Sequence, residues 1–132
     1  MPARVVPVTT VLVVHDGGRW LSEVLRALAA QTVRPARVLA VDTGSADGSG
    51  DLLRAAGLDV LVLPRGTGYA SAVHAGIEHA PLDRFLWLLH DDCAPDPAAL
   101  EQLLRAAADD PSAGVLGPQA VDWDDPLSLI PI

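Results

Sequence analysis

Lysine and asparagine do not occur anywhere in this 132-residue chain. The missing lysine excludes a phosphate-binding Walker lysine, a Schiff base and a lysine general base. Cysteine occurs once, at Cys93, so no internal disulfide forms and a reducing cytosol is compatible with the chain. With no second cysteine beside it, Cys93 is also a poor metal ligand. No apolar run approaches the roughly 18 to 20 residues that a membrane helix needs. The start, "MPARVVPVTT", shows no long apolar core before a small-residue cleavage site, so a signal peptide is not expected. Basic residues are scarce: 9 against 17 acidic, a net charge of -8. A nucleic-acid groove needs clustered Lys and Arg, so nucleic acid is excluded as a partner. An anionic small molecule is not, provided a divalent cation stands between it and the protein.

Half of the residues are hydrophobic, and the length suits one domain with a real core. The pattern along the chain is strand, turn, helix, repeated. "VTTVLVV" (8–14) is β-branched and almost wholly apolar, as a strand buried on both faces is. In "RWLSEVLRALAAQT", Leu21, Val24, Leu25 and Leu28 share one helical face. "RVLAVD" (37–42), "LDVLVL" (58–63) and "RFLWLL" (84–89) read as three further strands, the last as a buried one. "GDLLRAAG" and "YASAVHAGIEHA" read as helices between them. Asp96 and Pro97 form a cap and first-turn pair. The helix they open carries Leu100, Leu103, Leu104 and Ala107 on one face, and "AGVLGP" (113–118) reads as a fifth strand. Strands alternating with helices imply an α/β fold, a mainly parallel sheet with helices on both faces. The tail from 122 to 132, "DWDDPLSLIPI", has no clear assignment, and Trp20, Trp87 and Trp123 read as core or edge aromatics.

In such sheets ligands bind at the carboxyl ends of the strands. Four polar exits fall there: His15-Asp16, Asp42, Arg65 and His90-Asp91-Asp92. Adjacent strand-end carboxylates often serve only to cap the next helix. Here Asp96 is available for the cap, which leaves Asp91 and Asp92 for a ligand. The Gly-containing loop "RGTGYASA" does not satisfy a dinucleotide fingerprint and is weak evidence for phosphate binding.

The ordered set of motifs resembles the family-2 glycosyltransferases of GT-A fold. "VLVVHDGGRWLSEVLRALAAQT" is similar to their opening strand, turn and first helix, and "VLAVDTGSADGS" to their "VVDDGSTDGS". "RGTGYASAVHAGIEHA" is similar to "RNxGxAxAxNxGxxxA". "WLLHDDCAPDPAALEQL" resembles the strand bearing their D-x-D motif and the Pro-Asp helix start after it. The resemblance implies a Rossmann-like sheet, a nucleotide-sugar donor and a divalent cofactor, Mg²⁺ or Mn²⁺. It implies a nucleotide set in which Asp42 meets the base, His15 lies beside the nucleoside, Asp91 reaches the ribose and Arg65 joins them. Asp92 would bind the metal on the diphosphate. His90 stands where the first Asp of D-x-D is common. Asp16, Gly66 and His74 stand where Asn is usual, and Thr43 replaces a frequent second Asp.

The family's catalytic base is an acidic residue in the second half of the domain. Only residues 93–132 follow Asp92, and Asp122, Asp124 and Asp125 come early for that role. The chain is therefore expected to be a single, truncated donor-binding half, with the base outside it. The acceptor (a glycan, a lipid-linked sugar or a protein) is open. A cytoplasmic location is expected, with any hold on the inner membrane face carried by regions outside this chain. The alternative is a nucleotide-binding module, or a fragment, without transferase activity. A phospho-receiver domain needs an acidic pair after the first strand and a lysine after the fifth, and has neither here. A nicotinamide-binding domain needs a glycine fingerprint that "HDGGRWL" lacks.

Overall fold

The computed structural model describes residues 2–130. Strand β1 (Arg4–Val14) leads to helix α1 (Leu21–Ala29), then β2 (Val33–Asp42), α2 (Ser49–Ala55), β3 (Asp59–Val62), α3 (Tyr69–His79), β4 (Phe85–His90) and α4 (Ala99–Asp109). A two-residue pair, β5 (Ala120–Val121) and β6 (Leu129–Ile130), closes the described chain. The main sheet has the order β3-β2-β1-β4, and all of its pairings are parallel.

Central β1 explains its own sequence. It has a strand on each side and helices above and below, so Val8, Val11, Leu12, Val13 and Val14 are all buried. A strand in that position has no polar face to show. It starts at Arg4, earlier than its apolar run indicates, because the pairing with β2 shifts register between Val6 and Thr9. Pro7 lies at that shift, and it has no N–H to give to a ladder.

Helices do cover both faces. On one side Leu21 and Val24 of α1, Leu53 of α2 and Leu100 of α4 pack with Val8, Leu12, Val14, Trp87 and Leu89. On the other, Ala72 of α3 packs with Val11, Val13, Leu39 and Val41. Of the apolar face expected on α4, only Leu100 is fully buried, while Leu103 and Leu104 are half-buried. The helix begins two residues after Pro97. Asp96 still shapes its approach: its Oδ1 accepts the Ala98 N–H at 3.0 Å.

Two expectations need correction. Residues 113–118 do not form a fifth strand. Val115 is 92% exposed, and Pro118 removes a ladder donor while Gly114 and Gly117 contribute no side chain to a core. The parallel sheet therefore has four strands among the described residues. As a result β4 is an edge strand, not a strand buried on both faces. Trp87 and Leu89 point into the core, while Leu86 and Leu88 are exposed. Pro131 and Ile132, the end of the unassigned tail, lie outside the described residues. Among the described residues no helix is long and apolar enough to cross a membrane.

Candidate functional site

The register lines up the strand ends. Val14 pairs with Asp42, Asp42 with Val62, and Val13 with His90, so the four exits emerge together. Asp42 and Asp92 lie at the same sheet edge.

Hydrogen bonds join the exits into one network. The His15 N–H donates to Asp91 Oδ2 at 2.7 Å, tying the first exit to the fourth. His15 Nδ1 lies 2.9 Å from Thr43 Oγ1, which ties the first exit to the second. Arg65 donates to Asp16 Oδ2 at 2.6 Å and to the Gly44 carbonyl at 3.0 Å, which brings in the third. Asp42 Oδ1 accepts the Ser45 N–H, and Ser45 Oγ accepts the Asp16 N–H. Each residue expected in the site is thus at this edge: His15, Asp42, Arg65, Asp91 and Asp92.

Their surroundings differ. Asp42 and Asp91 are each 4% exposed, while the Asp92 side chain is 53% exposed. Arg65 is exposed, but its guanidinium is already engaged by Asp16. That contact, foremost, holds the Asp16 carboxyl down to about 2, with the Ala46 N–H adding to it.

His90 is the centre of charge at the fourth exit. Its Nδ1 lies 3.0 Å from Asp91 Oδ1 and 2.9 Å from Asp92 Oδ1. The hydrogen bond with Asp91 raises its pKa to about 9; burial opposes this and Asp92 reinforces it. Burial pushes the Asp92 carboxyl up, but the contacts with His90 and Cys93 outweigh it and leave it lowered. Burial, then Asp92, pushes the Cys93 thiol up to about 11, so Cys93 is a poor thiolate.

Ligand atoms of His90, Asp91 and Asp92 all lie within 4.8 Å of one another. The carboxylate oxygens of Asp91 and Asp92 suit a hard divalent cation, and His90 joins them as a donor only once the proton it holds between them has left. The residues present therefore fit the metal that the sequence motif implies, with Asp92 the most accessible donor.

Asp16, part of the first exit in the sequence, takes a larger share in the network than its position suggested: it holds Arg65 and accepts the Ala46 N–H at 2.7 Å. Its φ is +46°, in the left-handed region that Asp and Asn tolerate better than most residues. Asp47 accepts the Gly18 N–H. At Gly44, φ is +76° and a Cβ would stand 2.8 Å from the Arg65 backbone nitrogen, so only glycine lets the second and third exits meet. Trp20 and Trp123, read as core or edge aromatics, stack on each other with centroids 4.8 Å apart.

The tail is accounted for by its own turn. Asp122 Oδ1 accepts the Asp124 N–H and Asp125 Oδ1 accepts the Leu127 N–H, shaping the hairpin between β5 and β6. Between this hairpin, β4 and α4 lies a cavity of about 810 Å³, with Trp87, Leu89 and Leu103 on its apolar wall and Asp92 and Trp123 at its rim.

A four-stranded parallel sheet with helices on both faces matches the sheet of GT-A glycosyltransferases. Solved structures agree on that fold. S. aureus TarS 1-349 in complex with UDP-GlcNAc superposes with a TM-score of 0.66 at 16% identity, over 79% of this chain and 32% of that one. Glucosyl-3-phosphoglycerate synthase from Mycobacterium tuberculosis, with Mn²⁺ and UDP, gives 0.62 at 16% identity over 76% and 39%. The mannosyltransferase PcManGT from Pyrobaculum calidifontis, with GDP-Man and Mn²⁺, gives 0.65 at 21% identity over 83% and 36%. The family description "Glycosyl transferase family 2" matches residues 9–126, and the chain belongs to that family. It is 34% identical over 126 residues to the N-acetylglucosaminyl-diphospho-decaprenol L-rhamnosyltransferase of Mycobacterium tuberculosis, a match over 86% of this chain and 41% of that protein. The chain thus spans less than half the length of this relative.

Proposed function

We propose that this chain supplies the donor-binding half of a metal-dependent glycosyltransferase, which moves a sugar from a nucleotide-sugar donor to an acceptor. The observation that carries the reading is the convergence of all four strand exits on one edge, with the His90, Asp91 and Asp92 ligand atoms gathered there. The nucleoside lies over His15 and Asp42, with Arg65 at its rim. Asp42 takes the base. Asp91 takes the ribose, which requires His90 to leave Oδ1, since Oδ2 is engaged by the His15 N–H.

Asp92 holds Mg²⁺ or Mn²⁺, which takes the place of the protonated His90 ring at its Oδ1. When bound, such a cation neutralises a diphosphate and stabilises the charge that develops as the nucleotide leaves. This is how a chain of net charge -8 with no lysine accepts an anion. The acceptor enters by the cavity beside Asp92, whose apolar wall suits a lipid-linked sugar. The mycobacterial relative's name describes such an acceptor for that protein.

A second reading is a nucleotide-binding module without transfer. It is favoured by the use of Asp122 and Asp125 in the hairpin, which leaves neither poised as a base. A thermal-shift panel of nucleoside diphosphates and nucleotide sugars, with and without Mn²⁺, tests the shared donor site. A midpoint rise that needs both nucleotide and metal supports it, and no rise with any nucleotide contradicts it. Turnover with and without the remainder of a relative's length then separates transferase from binding module.

A further inference from the structure

We propose that Trp123 is a positioning residue for Asp92, holding the loop after β4 in the geometry in which its carboxylate meets a cation. The inference rests on the reading of Asp92 as the metal ligand and adds a residue to it.

Among the described residues the Asp92 carboxylate has partners only within two residues of it, His90 at the end of β4 and Cys93. Side-chain contacts so local do not fix where the loop sits relative to the rest of the site. The main chain does. The Trp123 indole N–H donates to the Asp92 carbonyl oxygen at 2.7 Å. Among the described residues, this is the hydrogen bond that ties residues 92–95 to a distant part of the chain. The donor is itself held. Its ring stacks on Trp20 at an interplanar angle of 16°, and the Arg19 guanidinium lies 4.3 Å from the Trp20 centroid. Offset stacking and a cation over an aromatic ring are both attractive. The hairpin fixes the backbone around Trp123, because the Asp122 N–H donates to the Ser128 carbonyl and the Ser128 N–H to the Asp125 carbonyl.

Trp20 directly precedes α1 and follows the loop that carries His15, Asp16 and Gly17. The nucleotide loop and the cation loop are therefore joined twice. On the inside, the His15 N–H meets Asp91. On the outside, Trp20 meets Trp123, which meets Asp92. With only the inner tie, Asp92 would be free to turn about the end of β4. The outer tie sets its direction, as supporting hydrogen bonds do for metal ligands generally.

The test is calorimetric titration of UDP into the parent chain and Trp123→Phe, in Mn²⁺ and in EDTA. Phenylalanine keeps a ring for Trp20 and loses the N–H. The expected result is a loss of roughly 10- to 100-fold in the Mn²⁺-dependent gain in affinity, with affinity in EDTA unchanged. A purely structural role would lower both affinities together, and that result overturns the proposal, as does an unchanged metal gain in Trp123→Phe. If the parent itself shows no metal-dependent binding, the reading of Asp92 fails first and this inference with it. A second measurement covers a variant that does not fold. In the ¹⁵N-labelled parent, with Trp20→Phe and Trp87→Phe used to assign the three indole signals, Mg²⁺ with UDP should shift the Trp123 indole N–H and leave that of core Trp87 in place. An unmoved Trp123 signal in a sample that binds UDP and Mg²⁺ overturns the proposal.

Discussion

Gly17 stands so close to Asp91 that a Cβ built on it would lie 2.5 Å from Asp91 Oδ2. The same oxygen accepts the His15 N–H. The first turn of the chain is therefore moulded around a buried carboxylate just past the fourth strand, and no side chain fits between them. Gly17→Ala should push Asp91 out of place, with a destabilisation of about 1–3 kcal/mol, as for other overpacked sites. Urea melts measure the stability, and nucleotide titration should show weaker binding. A melt within error of the parent would show that the turn relaxes freely.

The Asp16–Arg65 pair sets an acid-side dependence. Asp16 has a folded pKa of about 2 against its usual 3.8, chiefly because of the Arg65 hydrogen bond. A lowered carboxylate pKa stabilises the fold fully above pH 3.8, and the contribution is lost as pH falls through about 2. Asp16→Asn tolerates the same left-handed backbone but cannot carry the charge. Its stability should fall less steeply than the parent's between pH 4 and pH 2, measured by denaturant melts. Parallel pH profiles would place the interaction in solvent, with no net effect.

His90 sets the opposite dependence. Its folded pKa of about 9 exceeds the usual 6.5, so the imidazolium stabilises the fold fully below pH 6.5, and that contribution is lost as pH rises through about 9. His90→Gln should flatten the stability profile between pH 6.5 and 9.5. A parent profile already flat over that window would mean that the two carboxylates do not hold the proton.

Gln31 fastens α1 to the start of α4. It is 3% exposed; its Nε2 donates to the Ala27 and Asp96 carbonyls, and its Oε1 accepts the Leu100 N–H. Gln31→Ala leaves buried groups without partners and should cost about 1–3 kcal/mol. Gln31→Glu, which puts a buried carboxylate against the Ala27 and Asp96 carbonyls, should cost at least as much in thermal melts.

The sequence made the parallel sheet legible because β1, β2 and β4 each bury side chains in the core and β3 packs Val60 and Leu61 partly against it. β-branched runs there mark position as well as type. It also marked the strand exits, since a charge directly after an apolar run is conspicuous. It failed at 113–118, where Val115 and Leu116 look like a strand but meet no neighbouring strand. It missed Thr43 and Trp123 as parts of the network, and the pairing of Asp16 with Arg65, because these roles lie in contacts across 28 to 49 residues of chain. No local periodicity encodes such contacts. The buried state of Asp91 was hidden for the same reason, since its cover comes from Gly17 and His15.

The most direct test of the donor-site reading is calorimetric titration of UDP, or of the nucleotide preferred in the thermal-shift panel, in Mn²⁺ and in EDTA. The variants are Asp92→Asn, Asp42→Ala and Asp125→Ala. The parent should bind more tightly in Mn²⁺. Asp92→Asn should lose that gain and keep the EDTA affinity. Asp42→Ala should weaken binding in both conditions, and Asp125→Ala, confined to the hairpin, in neither. Equal affinity of the parent in Mn²⁺ and EDTA, or a full metal gain in Asp92→Asn, would contradict a cation held at Asp92.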